Sequence, residues 1–566
     1  MSTTSNKAMG STLLFLTYAV FATIAYALFV CIGRVYFHAF AHVPGPILAK
    51  LTNAYSAYHA AKGDTHVMIQ RLHEQYGTRF RVKAVASQLL IYFQGLWSGM
   101  DRTGFFSIVE NRWKVRTDRL GKVSYLFSQL ASEIYGRHEN LFKGRAYDAM
   151  RVQPLPSVFN AASNELHSRR RKIISQGFSE QAMRASESKI LRHVGNYCDV
   201  LFEPSNGKDW GEARETTQWS AFFAIDLIAD LTVGRSTAML TSPDNRVYNP
   251  ARKANFVRMG LAIQWPEAFC SGMVNPIKVG EVLFPKIAKL GKEWHMLLGS
   301  WIASRLTELR SEKATGESDM ITAIAQYRDP DSGEGLSDGE LTAEMTTLLI
   351  AGSGTITTGM TSLLWYLSRY PDEYQKAVQE VRSIFKKPQD IGMNSRLSRC
   401  TYLKACLQEA MRVSPAPTAP LYREAGPGGA SVCGIYVPEG YEVATSIYAL
   451  HHNEAHHPDS FRFDPSRWLQ DNEKVAATKA AWAPFSVGDR NCVGMTLATN
   501  EVLITMVTIL WHGDFRIADD AKLASIGAGS SRLGPGRQRE KEFQLYDTFG
   551  ASTDGPYLQF KRRETI

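Results

Sequence analysis

The apolar pattern is strongest at the N-terminus. Residues 8–33 carry no charge, and 13–32 consist mainly of Leu, Phe, Ala, Ile, Val and Tyr. At 1.5 Å per residue, about 20 residues cross the ~30 Å hydrocarbon core of a bilayer, so this stretch predicts a membrane-spanning helix. Lys7 precedes it and Arg34, His38 and Lys50 follow, a balance that does not fix orientation. The alternative is a cleaved signal peptide with Ala39-Phe40-Ala41 as its processing site, but the apolar core is too long for one. Pro44-Gly45-Pro46 then makes a stiff joint that cannot continue a helix.

Beyond the joint, apolar residues recur with helical period in 54–75 (one or two helices), 179–201, 216–232, 279–309 and 404–413. Ser337-Asp338-Gly339-Glu340 is a capping pattern that opens a long helix to about Tyr370, with Pro371 as its stop. A further apolar helix covers 495–511. Strand-like alternation occupies 78–82 and 122–128, and 432–450 is strand-rich with Pro438-Glu439-Gly440 as a turn. Residues 145–159 are interrupted by Pro and Gly and read as a loop. No internal repeat appears, so the pattern predicts one mainly α globule (44–566) behind an anchor and hinge (1–43). Residues 83–115 fit no period: Leu89-Leu90-Ile91-Tyr92-Phe93 gives way to Gly, Trp and Phe105-Phe106, and the stretch reads as an anomalous insert.

Composition adds little but excludes some classes. A chain of 566 residues with 44% hydrophobic content can bury a large core. Its seven cysteines are an odd number without framework spacing, which points to reduced thiols in a cytosolic setting. The net charge of +9 comes without a basic block of nucleic-acid type, and it suits an anionic membrane surface or an acidic protein partner.

The densest chemistry lies in Phe485-Ser486-Val487-Gly488-Asp489-Arg490-Asn491-Cys492-Val493-Gly494. Here one cysteine sits between two glycines just ahead of a helix. Loop N–H groups and the positive helix end favour a thiolate. Gly488 and Gly494 allow a positive φ or the close approach of something flat, and Arg490 can pair with an acidic group on that object.

These residues fill every position of F-x-x-G-x-R-x-C-x-G, and the chain resembles the cytochromes P-450, the haem-thiolate monooxygenases. It is similar to the fungal membrane-bound type near the benzoate-hydroxylase-like and secondary-metabolite branches, as in Gly136-Arg137-His138-Glu139-Asn140 and Phe543-Gln544-Leu545-Tyr546-Asp547. The resemblance implies a mostly helical haem domain with a small β region. It makes Cys492 the axial thiolate of haem b, which pushes electron density onto iron and favours O–O cleavage. Phe485, Gly488, Arg490 and Gly494 would form the cradle. His167 and Arg171 (H-x-x-x-R) with Arg423 would meet the propionates, while Arg169, Arg170 and Lys172 read as a solvated basic face.

Ala351-Gly352-Ser353-Gly354-Thr355 would cross the oxygen-binding side, where the small residues and hydroxyls favour a bulge that admits water. Thr355 would order the proton-delivery water. Gly354 departs from the pattern, since most members carry Asp or Glu there. Glu409, Arg412 and Arg467 would form a buried brace. Val158, Phe159, Pro417, Thr418, Ala419 and Thr553 would contact substrate, with Tyr147 and Met150 nearby and Thr553 at the tip of the last hairpin. His451, His452, His456 and His457 fall in an ordinary helical segment rather than a metal cluster. Deleting 83–115 restores family spacing, so the insert reads as a translated intron or gene-model error; a membrane-dipping element is the alternative.

The implied function is insertion of one oxygen atom from O₂ into a small apolar substrate, as a secondary-metabolite tailoring step. Electrons would come from NADPH through a flavoprotein reductase, with cytochrome b5 as a further donor. The implied location is the endoplasmic reticulum membrane, with the catalytic domain in the cytosol and no nucleic-acid partner. The alternatives are oxidative coupling, isomerisation or dehydration without oxygen insertion, and an inactive haem-poor product of an unspliced message.

Overall fold

The computed structural model describes residues 2–37, 40–41, 43–77, 80–82, 133–136, 140–151, 153–203, 209–266, 285–311, 320–432, 434–470 and 473–564. The insert 83–115 and the alternating segment 122–128 lie outside them. Helix α1 (Ser2–Ile32) runs into a π-helical turn, Gly33–Phe37. Leu14–Tyr36 is long and apolar enough to cross a membrane, and its apolar window is not buried against the rest of the protein. The joint that follows is pressed onto the globule. Arg81 N donates to Pro44 O at 2.8 Å, and a Cβ on Gly45 would lie 2.3 Å from Arg81 O. The Arg81 guanidinium donates to Arg34 O at 3.0 Å, which ties the base of the apolar helix to the same point.

The 54–75 pattern resolves into α2 (Ala54–Lys62) and α3 (Thr65–Tyr76), parted at Gly63, whose φ is +72°. Then come α4 (Asn164–Ile174), α5 (Glu180–Leu201), α6 (Thr216–Val233), α7 (Asn249–Gln264) and α8 (Pro285–Arg310). The long central helix is α9 (Asp338–Arg369), opened by a reciprocal capping box between Ser337 and Glu340. Pro371 starts α10 (Pro371–Ile384); α11 (Thr401–Val413) and α12 (Met495–His512) follow. Helix α6 is apolar and buried nearly all round because it lies between α5 and α9. The middle of α9 is equally closed in: Trp365 stacks on Phe543 and Tyr366 on Phe463, each at 4.8 Å.

The strands are short: β1 (Leu141–Phe142), β2 (Arg214–Glu215), β3 (Arg423–Ala425), β4 (Ala430–Val432), β5 (Ile435–Val437), β6 (Glu442–Val443), β7 (Gly513–Ile517), β8 (Tyr546–Thr548), β9 (Gly550–Ser552) and β10 (Tyr557–Arg562). They form antiparallel sheets β1-β3-β6 and β2-β10-β7 and two hairpins, β4-β5 and β8-β9. Three expectations change. Residues 80–82 form no strand, the strand-rich region ends in a short helix, Ile447–His451, and the expected loop 145–159 opens with a short helix, Arg145–Ala149. The central space is bounded by α9 on one side and the loop before α12 on the other, with Arg423 of β3 and Gly550 of β9 also lining it.

Candidate functional site

A cavity of about 340 Å³ lies between that loop and α9. The loop is shaped by backbone constraint. Ser486 and Gly488 have φ of +59° and +76°, and a Cβ on Gly488 would stand 2.0 Å from Tyr135 O. Cys492 N donates to Phe485 O at 2.9 Å, closing the loop, and α12 begins just past Gly494. The Cys492 side chain and the Phe485 ring open onto the cavity. Burial pushes the Cys492 thiol up, and the Gly494 N–H and Arg171 pull it back only in part. A metal cation bound at Cys492 would favour the thiolate.

The opposite wall is α9, where Ala351 and Thr355 face the cavity. Thr355 Oγ1 donates to Ala351 O at 2.8 Å, and Thr357 and Thr358 fold back similarly onto Ser353 O and Gly354 O. The helix stays regular through 351–358, so the expected bulge is absent: these hydroxyls cap the carbonyls of their own turn. Gly352 and Gly354 do not line the cavity. A Cβ on Gly352 would meet Ile228 of α6 at 2.6 Å, and one on Gly354 would meet the Phe256 ring of α7 at 3.1 Å. Both glycines serve close helix packing. Phe256, which does line the cavity, fills the space that a side chain at position 354 would enter.

His167, Arg171, Arg423 and Arg490 all reach the cavity, joined by Lys143, which no sequence pattern marked. Among the described lining residues none is acidic. Arg490 donates to Ala161 O and Ala162 O at 2.6 and 2.9 Å, gripping the start of α4. Arg171 reaches back from α4 to Asn491 O and Oδ1 at 2.5 and 2.8 Å, so two arginines are exchanged between loop and helix. Crowding of like charge shows in the titration. Burial, then Arg490, Lys143, Arg171 and Arg423, hold His167 down to about 3. Burial, then Arg423, Arg490 and Arg171, hold Lys143 well below the usual lysine range. Such a set suits a bound dianion.

The solvated reading of Arg170 is overturned. It is buried and donates to Glu340 at 2.8 Å and Glu344 at 3.3 Å, because its face of α4 packs on α9. Arg169 and Lys172 do lie at the edge, paired with Glu340 and Asp329.

Of the proposed substrate contacts, Val158, Phe159 and Pro417 line the cavity, as do Tyr147 and Met150. Thr418 turns away to donate to Asp547 Oδ1 at 3.0 Å, and Ala419 is packed in the core beside Tyr422. Thr553 is buried against Thr217, the two hydroxyls 2.8 Å apart. The last hairpin in fact turns at Phe549, where Thr548 pairs with Gly550, and those two turn residues, Phe549 and Gly550, face the cavity.

Glu409 is fully buried. Its carboxylate accepts from Arg412 Nε and Nη2 at 2.8 Å each, from Arg467 Nε at 3.2 Å and from Trp468 Nε1 at 3.0 Å. Arg412 also donates to His451 O and Ser460 O, both at 2.7 Å. His451 in turn sits 3.0 Å from Arg412 O through Nδ1 and accepts from Ala483 N at 2.9 Å, linking this cluster to the chain just before Phe485. Among the described residues no group of His, Cys, Asp and Glu is placed to hold a metal ion, the four clustered histidines included.

A cytochrome P-450 family profile matches residues 111–529. The chain is 31% identical over 567 residues to the cytochrome P-450 monooxygenase apf7 of Gibberella fujikuroi, covering 96% of this chain and 98% of that one. It is 34% identical over 435 residues to a cytochrome P-450 monooxygenase of Gibberella zeae (77% and 98% covered), and 30% identical to poxM of Penicillium oxalicum over 549 residues (96% and 95%). The chain thus belongs to the cytochrome P-450 family of haem monooxygenases, among its fungal members.

Proposed function

We propose that this protein is a membrane-anchored monooxygenase that inserts one atom of O₂ into a small, largely apolar substrate in secondary metabolism. One observation carries the reading: a lone cysteine faces a regular helix across a cavity whose charged lining is entirely basic. That donor set fits haem: Cys492 would be its thiolate ligand, and Arg171, Arg423, Arg490, His167 and Lys143 would hold its propionates. When bound, haem supplies activation of O₂ with two electrons from a redox partner, which we take to be an NADPH-dependent flavoprotein reductase with cytochrome b5 as a further donor.

The chain's own residues do the rest. Phe485, Gly488 and Gly494 would shape the cradle that receives the haem. Thr355 holds a proton at Oγ1 on the oxygen side, anchored to Ala351 O. Val158, Phe159, Phe256 and Pro417 exclude water. The α1 anchor holds the catalytic body at the cytosolic face of the endoplasmic reticulum.

Gly354 favours a second reading, coupling or dehydration without oxygen insertion, since no carboxylate stands beside Thr355 to relay protons. Turnover under ¹⁸O₂ decides: one labelled atom in the product is expected, and an unlabelled product would establish the second reading.

A further inference from the structure

Segment 153–160 forms one wall of the cavity and is fastened to α9 by side chains. Gln153 Nε2 donates to Thr346 Oγ1 at 3.1 Å, Thr347 Oγ1 donates to Ser157 Oγ at 2.8 Å, and Val158 N donates to Glu344 at 2.8 Å. Within this wall, Asn160 is buried yet lines the cavity. Its Oδ1 accepts from Ser157 N at 2.7 Å and from Ser157 Oγ at 3.3 Å, which uses both lone pairs. Rotating the carboxamide by half a turn would set its NH₂ against the Ser157 N–H, so the orientation is fixed by the network. The Nδ2 donors therefore face the cavity, and no described residue accepts from them. The wall's other polar side chains, Gln153 and Ser157, are hydrogen-bonded to α9.

We propose that Asn160 is a specificity-determining residue, donating a hydrogen bond to an acceptor oxygen (a ketone, ester or amide carbonyl) on an otherwise apolar substrate. This rests on the monooxygenase reading of the cavity. A pure hydrocarbon leaves the buried donors unpaired, whereas a carbonyl-bearing substrate satisfies them and is held in one register. Ser157 and Thr347 are positioning residues, acting through the grip on Oδ1.

The test is spin-state titration of the haem-loaded full chain with 2-dodecanone and its methylene isostere, 2-methyl-1-dodecene. The ketone should bind at least about tenfold more tightly, the value of one buried hydrogen bond. Asn160→Leu should bring the two affinities together while retaining the hydrocarbon, and Asn160→Ala should do the same. Equal binding by the wild type, binding of neither probe, or a preference that survives in the variants would overturn the proposal. Loss of haem from both variants would also overturn it, by assigning the Nδ2 donors to haem. A wild-type protein without a thiolate-haem spectrum would instead sink the monooxygenase reading itself.

Discussion

Glu344 shows how much a single side chain reports about this molecule. It is buried on α9, accepting from Val158 N and Arg170, yet burial raises its carboxyl to about 7 against those favourable contacts. In the unfolded chain it titrates near 4.5. Between those values the folded protein holds a proton that the unfolded chain lacks, so the burial penalty is relieved as pH falls through the window and is full above it. Glu340, which shares Arg170, is held below the usual range and stays charged there. Relative to Glu344→Gln, the wild type should gain thermal stability between pH 8 and pH 5, by at most about 3 kcal/mol. An equal difference between the two proteins at both pH values would contradict this.

Gly488 is a second residue-scale constraint. Its positive φ and the 2.0 Å approach of Tyr135 O leave no room for a methyl group, so Gly488→Ala should purify largely without haem; full occupancy would show that the loop can yield. The positive φ that the sequence allowed at Gly488 is present, because the motif places glycine where the backbone requires it. It could not mark Lys143 or Asn160, which lie in no periodic pattern, nor reveal that Phe256 faces Gly354 across two helices.

At the level of elements, the brace joins α11 to 451–468 and, through His451, to the approach of the cysteine loop. Removing one partner of a buried ion pair strands a charge at a cost of about 3–5 kcal/mol. Arg412→Ala should therefore fail to retain haem, and a variant of normal haem content would refute the structural role. Helix ends were legible wherever local chemistry sets them, as at the Ser337–Glu340 box and Pro371. What covers each face was not. The basic run on α4 has the same spacing whether Arg170 meets solvent or α9, and only the packing decides. The bulge expected in α9 failed because small residues permit a distortion without requiring one. The last hairpin turned earlier than expected because pairing of Tyr546 with Ser552 sets its register, which the sequence of 552–556 does not contain.

Over the whole molecule, the apolar N-terminal helix and the mainly helical character of the rest could be read from hydropathy alone. The sheets could not, since their partners lie far apart in the chain, as with Leu141 and Ala425 or Arg214 and Leu558. The cysteine loop, α9 and the Glu409 cluster come from three distant stretches, yet the loop and α9 line one cavity and the cluster is tied to the chain just before the loop. That convergence makes the central claim a spectroscopic one. In the reduced, carbon-monoxide-treated full-length protein, the red-shifted Soret band of thiolate-bound haem is expected, and its loss in Cys492→Ser. The same band in the serine variant, or none in the wild type, would show that Cys492 is not a haem ligand.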